Sequence, residues 1–168
     1  MSVFRILLSI ILLQRGPEDV PASLRLLQEV ILLNLLTGVV VLSAHYDISI
    51  SVSSTLLDLA VSLAFTGLLL LTLNRRPRFV QTAAAICGTG AIFHLVSWPF
   101  LIVAEDAGQS LQNTLWILML LLTSWELMVV AHIFRRAIDS GMASAIALSF
   151  ALFMISITVS QLIFPGAQ

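Results

Sequence analysis

Residues Leu111–Arg136 read LQNTLWILMLLLTSWELMVVAHIFRR. The run is long enough to cross a bilayer as a helix, because about 20 apolar residues at 1.5 Å each cover ~30 Å of hydrocarbon. Glu126 stands well inside it. A carboxylate at that depth is costly unless it is neutral, paired or hydrated. The rest of the chain must therefore supply a partner, a wet cavity or a proton. The expectation is that Glu126 faces the interior of a bundle and is hydrogen-bonded there. The run closes on Arg135 and Arg136, which help to orient the chain.

Composition agrees with that reading. Of 168 residues, 59% are hydrophobic and only 10% are charged, with a mean hydropathy of +1.05. A soluble domain carries about 45–50% apolar and about 25% charged residues. The excess means that the outer surface is apolar too, so the solvent is lipid. A net charge of -1 leaves no basic face to neutralise phosphates and argues against a nucleic-acid partner. One cysteine, Cys87, excludes an internal disulfide and a thiolate metal cluster. Its apolar setting makes it a packing residue.

The chain divides into one short and five long apolar segments. The short one, residues 2–14, is too brief to span. Ser2, Arg5 and Ser9 form a narrow polar stripe, while Phe4, Ile6, Leu7, Ile10 and Ile11 cover the rest, the pattern of an interfacial amphipathic helix. A signal peptide is the rival, but the apolar core runs into Gln14-Arg15-Gly16-Pro17 without the small residues that cleavage needs. Pro17 and Pro21 then break the helix. Candidate spans follow at about 24–44, 55–73, 79–103, 111–134 and 142–164, within a single membrane domain over residues 1–168. Serine-rich His45–Ser54 reads as a connector, as does acidic Ala104–Ser110. Pro99 is expected to kink or end the third span.

The arginines give the orientation. Arg5, Arg15 and Arg25 precede or open the first span. Arg75, Arg76 and Arg78 separate the second from the third, and Arg135 and Arg136 the fourth from the fifth. Five spans put all of them on one side, and the chain has no lysine. The positive-inside rule then places the N-terminus in the cytoplasm and the C-terminus outside. In a bacterial inner membrane that outer side is the periplasm. Tyr46, Trp98 and Trp116 fall near the outer interface, as belt aromatics do.

Polar residues at membrane depth are the candidate site. Counting along the helices from the arginines puts Glu126 and Asn34 in one layer, ~13 Å in, and Asp58 and His94 in another, ~25 Å in. Ser51, Thr55, Asp58 and Ser62 share a helix face. So do Cys87, Gly90, His94 and Ser97. Polar stripes of this kind face the bundle interior. Thr158 and Gln161 reach the outer layer's height. A His94–Asp58 contact is one expectation; plain interhelical hydrogen bonds, worth ~0.6 kcal/mol on average, are the other. His132, one turn from Arg135, reads as interfacial. Small residues mark helix contacts: the ridge Ala143, Ala147, Ala151, and the pair Ala84 and Gly88. No sequence signature of a hydrolase, P-loop or zinc enzyme is present, and the three histidines lie on separate segments, so no metal, cofactor or catalytic residue is expected.

The stretch WELMVVAHIFRRAIDSGMASAIAL, Trp125–Leu148, resembles the end of the fourth span, the basic turn and the start of the fifth in the Yip1-like superfamily of small five-span membrane proteins. The topology over Leu24–Phe164 is similar as well. That resemblance implies an interaction or organising protein rather than an enzyme. The fold expected is thus an all-α integral membrane bundle of five transmembrane helices preceded by a short interfacial amphipathic helix. The leading functional reading is a non-enzymatic accessory or scaffold protein acting through helix contacts with a membrane-protein partner or its own copies in the bilayer. The alternative is a small oligomeric transporter or proton-coupled permease using Glu126, Asp58 and His94.

Overall fold

A computed structural model describes residues 2–105 and 107–164. Asp106 of the acidic connector and the C-terminal Gln168 lie outside them. Among the described residues the chain is helical without strands. Its helices are α1 (Val3–Ile11), α2 (Leu24–Leu42), α3 (Ile48–Thr72), α4 (Phe79–Glu105), α5 (Gln109–Ile138) and α6 (Met142–Ile163), with single 3-10 turns at Pro17–Asp19 and Arg76–Arg78. Helices α2 to α6 are each long and apolar enough to cross a membrane. The short N-terminal helix precedes them as expected.

Two boundaries differ from the sequence reading. Helix α3 starts at Ile48, so the serine-rich stretch is helix and not connector. Serine competes with helix by bonding the backbone elsewhere. Here Ser51 and Ser53 donate to the carbonyls of Asp47 and Ser49 one turn back, which keeps the hydroxyls satisfied inside the helix. Helix α4 continues through Pro99 to Glu105 instead of ending there. The lost backbone bond of a proline is tolerated in apolar spans that neighbouring helices support.

The five long helices close into a ring. α2 packs on α3 and α4, α4 on α5, α5 on α6, and α6 back on α3. α1 lies against α4 and α5. Its Ile6, Leu7 and Ile10 are buried, while Phe4, Leu8 and Leu12 remain exposed, so it offers one apolar face to the bundle and another to lipid. Gly88 makes room for it: a Cβ there would come within 2.8 Å of a Leu7 methyl. Ala84 is buried in the same core. The ridge on α6 points the other way. Ala143 and Ala147 are exposed and Ala151 is half-buried, whereas Ala145, Ser149 and Leu152 face the bundle. Both sets have helical spacing, and the large apolar Ile146 and Phe150 stay on the outer side with the ridge.

The arginine end is stapled. Arg78 donates to the carbonyls of Arg136 and Ala137 at 3.1 and 2.8 Å and to Asp139 at 3.0 Å. These are among the carbonyls that the end of α5 leaves without helical partners. Arg75 adds a second ion pair to Asp139, and Arg136 pairs with Glu18. Asp139 holds the left-handed conformation that ends α5 (φ 53°), which aspartate tolerates better than most residues. The hydrogen bond from Arg78, helped by the charges of Arg75 and Arg136, keeps its carboxyl below the usual aspartate range.

Candidate functional site: a polar cavity inside the ring

Every long helix contributes to a cavity of about 260 Å³ at the centre of the ring. Asn34 enters from α2 and Asp58 and Ser62 from α3. Cys87, Gly90 and His94 come from α4, Thr123, Glu126 and Val130 from α5, and Ser149, Phe153 and Ser156 from α6. The residues from α4, α5 and α6 repeat at three or four positions, one face of each helix. All four polar residues singled out in the sequence therefore meet at one place.

Their hydrogen bonds do not follow the expected pairs. Asn34 donates its amide to the carbonyl of Cys87 at 3.1 Å, not to Glu126. His94 Nδ1 lies 3.2 Å from Thr37 Oγ1. Asp58 accepts from Ser156 Oγ at 2.5 Å, so the expected His94–Asp58 contact gives way to a bond between α3 and α6. Counting residues from the arginines gives a height along one helix but not the neighbour it meets, which the packing of α2 on α4 and of α3 on α6 decides. Asp58 still lies close enough to act electrostatically on Glu126, His94 and Cys87.

Glu126 corrects its expectation in part. It is half-buried, and its carboxylate lines the cavity. Among the described residues none donates a hydrogen bond to it, although nearly every other buried polar side chain is bonded. A carboxylate so placed interacts with whatever the cavity admits: water, a proton or a cation. His132 is buried, with Nε2 2.9 Å from the carbonyl oxygen of Arg15, and so ties the N-terminal segment to α5 near the arginine end.

The cavity has a continuation among the described residues. A second hollow of about 380 Å³ shares Asp58, Phe153 and Ser156 with it and runs to Tyr46, Ser160 and Gln161, at the end remote from the arginine staple. Thr158, by contrast, is exposed and bonds its own helix. Toward the arginines the cavity ends in packed side chains, Ile10, Val30, Ala84, Val129 and Ile133 among them.

Ser149 and Ser156 escaped the sequence reading. Their signal was a seven-residue spacing on an otherwise apolar helix, the same face twice. Among the described residues no three His, Cys, Asp or Glu side chains are grouped to hold a metal ion. No protein-family model, curated protein or solved structure matches the chain.

Proposed function

We propose that this protein is a small proton-coupled permease, and that its central cavity carries the solute. One observation supports this above the rest: the Glu126 carboxylate faces a cavity lined by all five long helices and has no donor among the described residues. A structural role would pair such a group, because an unpartnered carboxylate away from water costs stability. A group that binds and releases protons or solute must be left available. In this reading the arginine end is cytoplasmic and the opposite end periplasmic, in a bacterial inner membrane, as the arginine asymmetry favours.

The test places a probe thiol, Ser62→Cys, on the cavity wall of a Cys87→Ser protein, because Cys87 itself is buried. An impermeant thiol reagent is applied to oriented vesicles from either side, with Cys87→Ser alone as the blank. A permease exposes its cavity to each side in turn, so modification is expected from both, faster from the arginine-poor side. Protection from both sides, in vesicles whose protein is folded, would sink the proposal.

The accessory or scaffold reading keeps one specific support, the outward ridge Ala143, Ala147 and Ala151, a small-residue face suited to close contact with another helix in the bilayer. Disulfide trapping of Ala147→Cys chains in native membranes tests it. The two readings coexist if the permease is oligomeric.

A further inference from the structure

We infer that the cavity's solute is a small organic ammonium ion, admitted from the arginine-poor end and exchanged for a proton; this rests on the permease reading and names its substrate class.

The charge of the lining comes first. Among the described residues Asp58 and Glu126 are the acidic groups along the cavity and its continuation, the one basic side chain is His94, which is held by Thr37, and no arginine lines either hollow. An anion would give up its hydration to face two carboxylates, in a medium where charge interactions are strong. The sign of the site therefore selects a cation.

The walls decide which cation. Leu59, Ile86, Leu127, Val130 and Leu152 make much of the lining apolar. A bare metal ion wants six or more oxygen ligands, or a compact set of nitrogen and sulfur donors, and no such grouping exists among the described residues. An alkylated ammonium needs a carboxylate for its charge and hydrocarbon for its substituents. It also gains from an aromatic face, and Phe153 lines both hollows. A volume of about 260 Å³ matches a handful of carbon atoms around one nitrogen, since a water molecule takes roughly 30 Å³.

The route follows from what the two hollows share. Asp58, Phe153 and Ser156 stand where they join, so a solute coming from Tyr46 and Gln161 passes Asp58 before it reaches Glu126. The bond between Ser156 and Asp58 ties α3 to α6 at that junction. Beyond Glu126 the way is closed by the packed core around Val129 and Ile133. Asp58 thus recruits the cation and Glu126 receives it. The exchange balances: a protonated Glu126 gives one proton to the cavity water as one ammonium ion pairs with its carboxylate, and no covalent bond to the solute forms or breaks.

The experiment measures the rate at which a small neutral maleimide modifies a Ser62→Cys probe on the cavity wall, in a Cys87→Ser full chain in lipid nanodiscs. The probe is tetramethylammonium. Tert-butanol, similar in shape and uncharged, and acetate, the opposite charge, are the controls. Tetramethylammonium at ten times its dissociation constant should slow modification about elevenfold by mass action. The controls should leave the rate unchanged. Protection should fall as the pH is lowered and disappear in Glu126→Gln, with Asp58→Asn, which keeps the side chain's shape, weakening it. Equal protection by tert-butanol, protection by acetate, no protection by tetramethylammonium, or full protection in a folded Glu126→Gln protein overturns the ammonium assignment while the permease reading stands. A cavity probe thiol that no reagent reaches in folded protein overturns both.

Discussion

The bond between Ser156 and Asp58 can be weighed against the packing around it. It joins α3 to α6 at 2.5 Å, and the accepting group is a carboxylate. Hydrogen bonds between membrane helices contribute ~0.6 kcal/mol on average and up to ~1.7 kcal/mol. A charged acceptor moves this one toward the upper value. Against that, Asp58 is exposed to the hollow beside it, and solvation returns part of the gain. The expected coupling is about 1 kcal/mol between the two side chains. The assay is a double-mutant cycle of Ser156→Ala, Asp58→Asn and the double variant, read by steric trapping or denaturant unfolding in micelles. Ser156→Ala removes only a hydroxyl, and Asp58→Asn keeps volume while removing charge, so neither leaves a cavity to confuse the comparison. A coupling indistinguishable from zero would refute the bond.

Three further outcomes follow from the same geometry. Glu126→Leu should raise stability in micelles by about 1 kcal/mol while abolishing solute protection of the cavity probe thiol, because replacing a poorly paired charge inside a bundle with an apolar group is often stabilising; a destabilised protein would mean that Glu126 has a structural partner. Gly88→Leu should expel α1, since even a Cβ meets Leu7 at 2.8 Å; we expect a loss of about 1–3 kcal/mol and faster tryptic cleavage at Arg15, and unchanged cleavage would contradict the docked helix. Asp139→Asn keeps the left-handed turn but loses the charge. The folded pKa of Asp139 lies below its unfolded value, so its stabilisation is present at neutral pH and is lost as the pH falls from about 4 through the lowered value. Wild type should therefore be the more heat-stable at pH 7, and the two should converge in acid.

The sequence carried the bundle because hydrophobic length and arginine placement are sums over many residues, and single errors do not disturb them. It carried the interior faces for the same reason. Asp58 with Ser62, and Cys87 with Gly90 and His94, each repeat at helical spacing, and the cavity lies where those stripes converge. The partners were not legible. Asn34 bonds to a backbone carbonyl, which no side-chain pattern announces, and Thr37 reaches His94 only because α2 and α4 approach closely beside Gly38 and Gly90. The small-residue ridges show the same limit: Ala84 with Gly88 and Ala143 with Ala147 have identical spacing, and neighbouring helices turn one pair inward and the other out. Helix α1 carries two apolar faces, so pattern alone could not say which one meets protein. Pro99 does not end its helix, because a breaker in water is tolerated in a supported apolar span.

The most direct test of the account is flux. Protein reconstituted into liposomes with a trapped pH-sensitive dye is given a tetramethylammonium gradient. Coupled exchange predicts proton movement opposite to the ammonium ion, abolished by Glu126→Gln and not produced by a sodium gradient of the same strength. Liposomes with folded protein that move no more protons than empty ones, or a Glu126→Gln protein as active as wild type, would contradict it.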